Sequence, residues 1–102
     1  MIRHFVHLRF DEAVPEMHRR ELFTALAGLA DHIDGILDMQ DRTNVSPERD
    51  LVRGFDHVFW LDFRDASARD TYLADPHHLA IAAQLLDAVG GPEGIFVCDM
   101  EM

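Results

Sequence analysis

With 102 residues, 48% of them hydrophobic, the chain has material for one core and not for two, so a single domain over residues 1–102 is expected. Its lone cysteine, Cys98, cannot close an internal disulfide and fits a cytoplasmic protein. Nineteen acidic residues against nine arginines leave a net charge of −10, which repels phosphate backbones and argues against nucleic-acid binding.

The first segment, Ile2 to Phe10, alternates. Ile2, His4, Val6, Leu8 and Phe10 share one side; Arg3, Phe5, His7 and Arg9 share the other, as in a strand with one mainly apolar face. The opening MIRHFVHLRF has no continuous apolar run of the kind that exports a protein. Pro15 then starts a helical pattern with Leu22, Leu26, Leu29 and Ile33 on one stripe, ended by Asp34-Gly35. Ile36 to Asn44 reads as a weaker strand, followed by the polar loop SPERDLVRG. HVFWLDF, His57 to Phe63, is the clearest strand, with His57, Phe59, Leu61 and Phe63 on one face and Val58 and Trp60 on the other.

Asp65 is placed to cap a helix running to Ala74. Asp75-Pro76 breaks it and starts another, with Leu79, Ala82, Leu86 and Val89 on one stripe and Ile81 and Leu85 beside it, stopped by Gly90-Gly91-Pro92. Its longest apolar stretch, Leu79 to Leu86, is interrupted by Gln84 and far too short to span a bilayer, so no membrane is expected as a partner. Ile95 to Met100 makes the last strand.

The order β-α-β-β-α-β defines an α+β, ferredoxin-like subunit: one four-stranded antiparallel sheet with its helices on a single face. The other face, with Val58 and Trp60, would be left wet. No element remains to cover it, so a homodimer joined sheet to sheet is expected.

The chemistry concentrates in histidines. Asp75 as N-cap and Pro76 as first helical residue place His77 and His78 in the first turn of the last helix, where the helix dipole and burial both oppose protonation. An imidazole kept neutral there can act as a general base. Four residues before Ala82, His78 is placed to lean inward; His77 falls at the rim. Tyr72 brings a phenol to the same space. His4 and His57 lie on the helix-covered face of the central strands and are expected close together beneath the helices, with Phe59 on the same face. The plain alternative is a buried histidine that merely bonds a carbonyl or carboxylate. His18 and His32 fall on the polar side of the first helix, His7 beside Phe5 on the open face, and Cys98 reads as an inert core thiol. Arg3 and Arg9 are candidate partners for Asp62 and Asp56. A metal could be held by His4, His57 and His78, or by His77 and His78 with Asp75. Neither set has the local spacing of a zinc motif, and no metal is expected. No Gly-rich phosphate loop, nucleophile elbow or CxxC occurs, and no cofactor is expected.

IRHFVHLRF, NVSPE at Asn44 to Glu48, GFDHVFWLDF, FRDASARDTYLADPHH and a last strand ending in an acidic residue together resemble the stress-responsive dimeric α/β-barrel (Dabb) family over nearly the whole chain. The resemblance implies a ferredoxin-like subunit whose dimer joins two sheets into a barrel. Within that family, the sequence resembles the polyketide cyclase type that makes olivetolic acid, whose motif is Tyr-x-x-His-Pro-x-His. Tyr72, Pro76 and His78 match it, and His4 and His57 match pocket histidines of that type. Asp75 stands where histidine is usual, Arg42 where a glycine precedes the NVSPE-like loop, and Asp34 where proline precedes Gly35. The resemblance implies His78 and Tyr72 as catalytic residues, with His4, His57 and Phe59 binding substrate. The ligand would be a small, largely apolar carbonyl or aromatic compound, and the chemistry aldol-type cyclisation, lyase or isomerase. The alternative is a non-catalytic, stress-protective or ligand-binding dimer; a metal-binding or monooxygenase-like barrel is a weaker one.

Overall fold

The computed structural model describes residues 1–102. Its strands are β1 (Ile2–Leu8), β2 (Ile36–Thr43), β3 (His57–Phe63) and β4 (Ile95–Glu101). Its helices are α1 (Glu16–Gly28), α2 (Arg49–Val52), α3 (Ala66–Ala74) and α4 (Pro76–Ala88). Every strand pair is antiparallel and the order across the sheet is β2-β3-β1-β4, the ferredoxin-like arrangement with the second helix split in two. No helix is long and apolar enough to cross a membrane.

The alternation read in the sequence sets which face is buried. Val6 and Leu8 on β1 and Phe59, Leu61 and Phe63 on β3 form one apolar wall, and Leu22, Phe23 and Leu26 of α1 pack on it with Ile81 and Leu85 of α4. Burying such side chains is the main favourable term in folding, each contributing about 1.5–3 kcal/mol. On the opposite face Phe5 lies between Trp60 and Cys98 in the register, and Phe96 (56% exposed) and Met100 (50%) stand out into solvent. Asp62 is buried on this face, where it accepts two hydrogen bonds from Arg3 at 2.8 and 3.1 Å. Asp56 pairs instead with Arg49.

Four expectations change. The first helix stops at Gly28 and tightens into a 3₁₀ turn, Leu29–Asp31, before Gly35. The polar loop contains the single turn α2, pinned where Arg49 donates to the Ser46 carbonyl at 3.0 Å and where Asn44 donates to the Phe55 carbonyl at 3.2 Å. On α4 the buried stripe is Ile81, Leu85, Ala88 and Val89, while Leu79 and Leu86 are exposed. The helix is turned so that Ile81 and Leu85 meet the core, which leaves Ala82 and Leu86 beside β4. Cys98 is not a core thiol. It pairs with Phe5 across the sheet and sits half-buried on the open face, because its register position is odd with respect to Val97 and Asp99.

Gly35 makes the turn into β2 with φ +91°, and a Cβ there would meet the Ala68 Cβ at 2.5 Å. Gly35→Ala is expected to lower unfolding free energy by about 2–4 kcal/mol, combining a left-handed backbone penalty with an overpacked contact. Urea denaturation of the two proteins measures it.

Candidate functional site

The break at Asp75 sets the local geometry. Asp75 is extended (φ −67°, ψ 130°), so its carboxylate turns back over the start of α4, where Oδ1 accepts the backbone N–H groups of His77 at 2.8 Å and His78 at 3.2 Å. Two of the N–H groups that a helix start leaves unpaired are thereby satisfied. The same carboxylate meets the His32 ring at 3.1 Å. Burial alone would raise the Asp75 pKa; the two backbone donors and His32 outweigh it and hold the carboxyl below its ordinary value.

This start turns His78 inward. Its ring lies 4.0 Å from the Tyr72 ring, centroid to centroid, and Tyr72 in turn lies 5.9 Å from His4. The three groups line a hollow of about 270 Å³ between the sheet and α3–α4, whose remaining wall is mainly apolar and includes Phe59, Leu85 and Val97. Val97 is half exposed and Leu86 more than a third, so the hollow opens along the β4 edge. Larger grooves of about 560 and 570 Å³ lie elsewhere, around Phe55 and Phe96 and around Arg9 and Asp56. Both are more open and neither gathers a histidine–tyrosine cluster.

The electrostatics of the hollow separate its two acid–base groups. Burial lowers the His78 pKa, the nearby His4 adds to the effect, and the Leu73 carbonyl and Asp75 oppose it. Burial pushes the Tyr72 phenol up, its side chain being 1% exposed. At pH 7 the site therefore holds a neutral imidazole against a protonated phenol. The Leu73 carbonyl lies near the His78 ring, yet the buried Nδ1 makes no hydrogen bond of normal geometry within the chain, an arrangement that folded proteins rarely leave unanswered.

His4 is fixed by a residue the sequence reading missed. Its Nδ1 donates to Asp99 Oδ1 at 2.5 Å, and Arg69 donates to the other Asp99 oxygen at 3.1 Å. The register places His4 directly opposite Asp99, so the pair joins β1 to β4. A carboxylate at an inward position, in step with Ile95 and Val97, was the available signal.

His57 is not part of this cluster, contrary to expectation. It pairs with Leu8, whereas His4 pairs with Leu61, so antiparallel register sets the two histidines four residues apart along the sheet, about 13 Å. His57 packs edge-on to Phe10 at 5.2 Å and borders a small polar cleft with Arg19, Arg20 and Asp41. Sharing a face did not make them neighbours. His7 does lie beside Phe5 on the open face, at 6.4 Å. His32 is more than solvated: besides Asp75 it meets the exposed His77 ring at 4.4 Å.

A family model described as the stress responsive A/B barrel domain matches residues 2–102. The chain belongs to that family. Among solved structures, a dimeric ferredoxin-like protein of unknown function from Jannaschia sp. CCS1 is 27% identical, with a TM-score of 0.87 over 99% of this chain and 98% of that one. An Arabidopsis thaliana protein, 24% identical, superposes with a TM-score of 0.89 over 100% of this chain and 95% of the other. A hydroxynitrile lyase from Passiflora edulis shares the fold at 18% identity, with a TM-score of 0.85 over 99% of this chain and 92% of the lyase. No curated protein matches the chain.

Burial lowers the pKa of His7, His57 and His78 in the folded A/B barrel subunit, with Arg19 adding to the effect at His57. Below an unfolded value near 6.5 the unfolded chain binds the extra protons, so stability is full above about pH 6.5 and is lost as pH falls through the lower folded values. Urea midpoints from pH 8 to 5 should decline over that window, and His57→Gln should flatten the decline.

Proposed function

We propose that this A/B barrel protein binds a small, largely apolar carbonyl or aromatic compound in the hollow beneath α3 and α4, and there performs cofactor-independent acid–base chemistry on it. The supporting observation is the unpartnered, buried Nδ1 of His78, on a ring lodged 4.0 Å from Tyr72 at the wall of that hollow. At about 270 Å³ the space lies just below the usual range for drug-sized ligands, which favours a small one. Its apolar lining would hold a ring or short acyl chain, leaving the polar groups at one end to address a carbonyl.

In this reading neutral His78 takes a proton from carbon α to the carbonyl, or from a hydroxyl whose carbon becomes a carbonyl as its bond to a neighbouring carbon breaks, the departing carbon leaving with the electron pair. Tyr72, protonated at working pH, donates a hydrogen bond to the oxygen on which charge develops. His4, held by Asp99, positions the ligand, and Phe59 supplies apolar wall. His57 has no part in it. Aldol-type cyclisation, lyase cleavage and isomerisation share this machinery, and the fold shared with a hydroxynitrile lyase is in keeping with the second.

A panel of aryl aldehydes, aryl cyanohydrins and linear β-polyketones, assayed for turnover, tests the reading. With the compound turned over, His78→Ala is expected to lower kcat about 10²–10⁴-fold and Tyr72→Phe about 10²–10³-fold, with circular dichroism and melting temperature nearly unchanged. A His78→Ala variant that binds ligand normally and keeps full turnover would overturn the catalytic assignment. Ligand saturation without turnover across the panel would leave a binding protein.

We further propose that two copies pair through their open sheet faces, burying Phe5, Trp60, Phe96 and Met100. The exposure of Phe96 and Met100 supports this, as does the similarity to a structure described as dimeric. Sedimentation equilibrium at micromolar concentration should give a dimer, and Phe96→Asp should shift it to monomer.

A further inference from the structure

Outside the hollow, one other group of side chains converges around Asp75, whose Oδ1 caps α4 while Oδ2 faces His32. His32 at the end of the 3₁₀ turn, Asp75 before α4 and His77 in its first turn each bring one ligating atom within 4.8 Å of the others. We propose that these three residues bind a divalent transition-metal ion of the zinc class on the surface of the subunit.

The donor set is the first argument. Two imidazoles and a carboxylate are ligands that zinc, copper and nickel accept, and three protein ligands with a fourth position left to water is a common zinc arrangement. The geometry is the second. Ligand atoms around a tetrahedral zinc ion sit about 3.3 Å apart, given bonds of about 2.0–2.1 Å. His32 Nε2 lies 3.1 Å from Asp75 Oδ2, and His77 Nδ1 lies 3.5 Å from Asp75 Oδ1. Only the exposed histidine rings need turn to close the set, their side chains being 48% and 68% accessible, whereas the carboxylate is 13% accessible and already fixed.

The Asp75 carboxylate is held by two helix N–H groups on Oδ1, which leaves Oδ2 turned toward His32. In the tautomer with its proton on Nδ1, His32 presents the Nε2 lone pair on that side, the form in which an imidazole ligates a metal. The arrangement spans two elements distant in sequence, which is why neither local spacing nor the polar position of His32 on its helix disclosed it. A net charge of −10 adds a general attraction for cations. The proposal stands independently of any catalysis in the hollow, because none of the three ligands lines that space.

Titration of the full chain with zinc ion at pH 7.5, by calorimetry and by thermal unfolding, tests it. One zinc per chain is expected, with a rise in melting temperature as the ion saturates the folded state. His32→Ala and His77→Ala should each weaken binding at least tenfold. Asp75→Asn should do the same while leaving the zinc-free melting temperature nearly unchanged, because asparagine caps a helix about as well. His18→Ala and Tyr72→Phe should bind as the unaltered protein does. Absence of saturable binding, affinity in the His32 and His77 variants equal to that of the unaltered protein, or loss confined to His18→Ala would each overturn the assignment. Tyr72→Phe separates this result from the reading of the hollow, since it is expected to lose turnover and keep zinc.

Discussion

The placement of the whole site depends on one carboxylate oxygen. Asp75 Oδ1 gathers the first two free N–H groups of α4, and proline at the next position supplies the φ that a helix start requires. Without that paired restraint the chain has no reason to end α3 at Ala74 and restart one residue later. The restart makes the two histidines diverge. His77 projects into solvent beside His32 and His78 turns toward Tyr72, although they are adjacent in sequence. A cap contributes only about 0.5–2 kcal/mol to stability. Its larger effect here is directional, because it decides which imidazole enters the protein.

Around that fixed point the molecule keeps two chemistries apart. The inner face of the sheet is closed by helices and carries hydrogen-bonding groups in an apolar setting: neutral His78, the protonated Tyr72 phenol, and His4 tied to Asp99. The outer face carries aromatic side chains and the Arg3–Asp62 pair, whose two hydrogen bonds keep a buried carboxylate from standing alone. A buried ion pair is weak evidence for stability, and it serves better as a specifier of how the face is presented. Both faces come from one alternation along β1 and β3, so every residue there is committed to one role or the other.

Much of this was legible from residue order. Alternation in HVFWLDF and in the first strand gave sheet and faces; Asp65, Asp75 and Pro76 gave helix starts; the Tyr72–His78 relation followed from the helix break. The misses have a common cause, which is that pattern specifies a face and not a place upon it. His4 and His57 share a face, but antiparallel register sends them to opposite ends. Asp99 and His32 each act through a partner from a distant segment, and no local spacing reports that. Leu79 and Leu86 belong to an apolar stripe, yet helix rotation is set by the neighbours against which Ile81 and Leu85 pack. Cys98 shows the cost of reading a small apolar residue as core when its strand position is of the outward parity.

The outer wall of the hollow is β4, a strand held by hydrogen bonds along one side only, to β1. Edge strands yield more readily than central ones, since less of their backbone is restrained. A guest entering past Val97 and Leu86 would need only this border to flex by a small amount, with α1, the central strands and the dense aromatic packing behind them undisturbed. The clasp between His4 and Asp99 is the tie at that border, so the groups proposed to orient a guest would also set how readily this border gives.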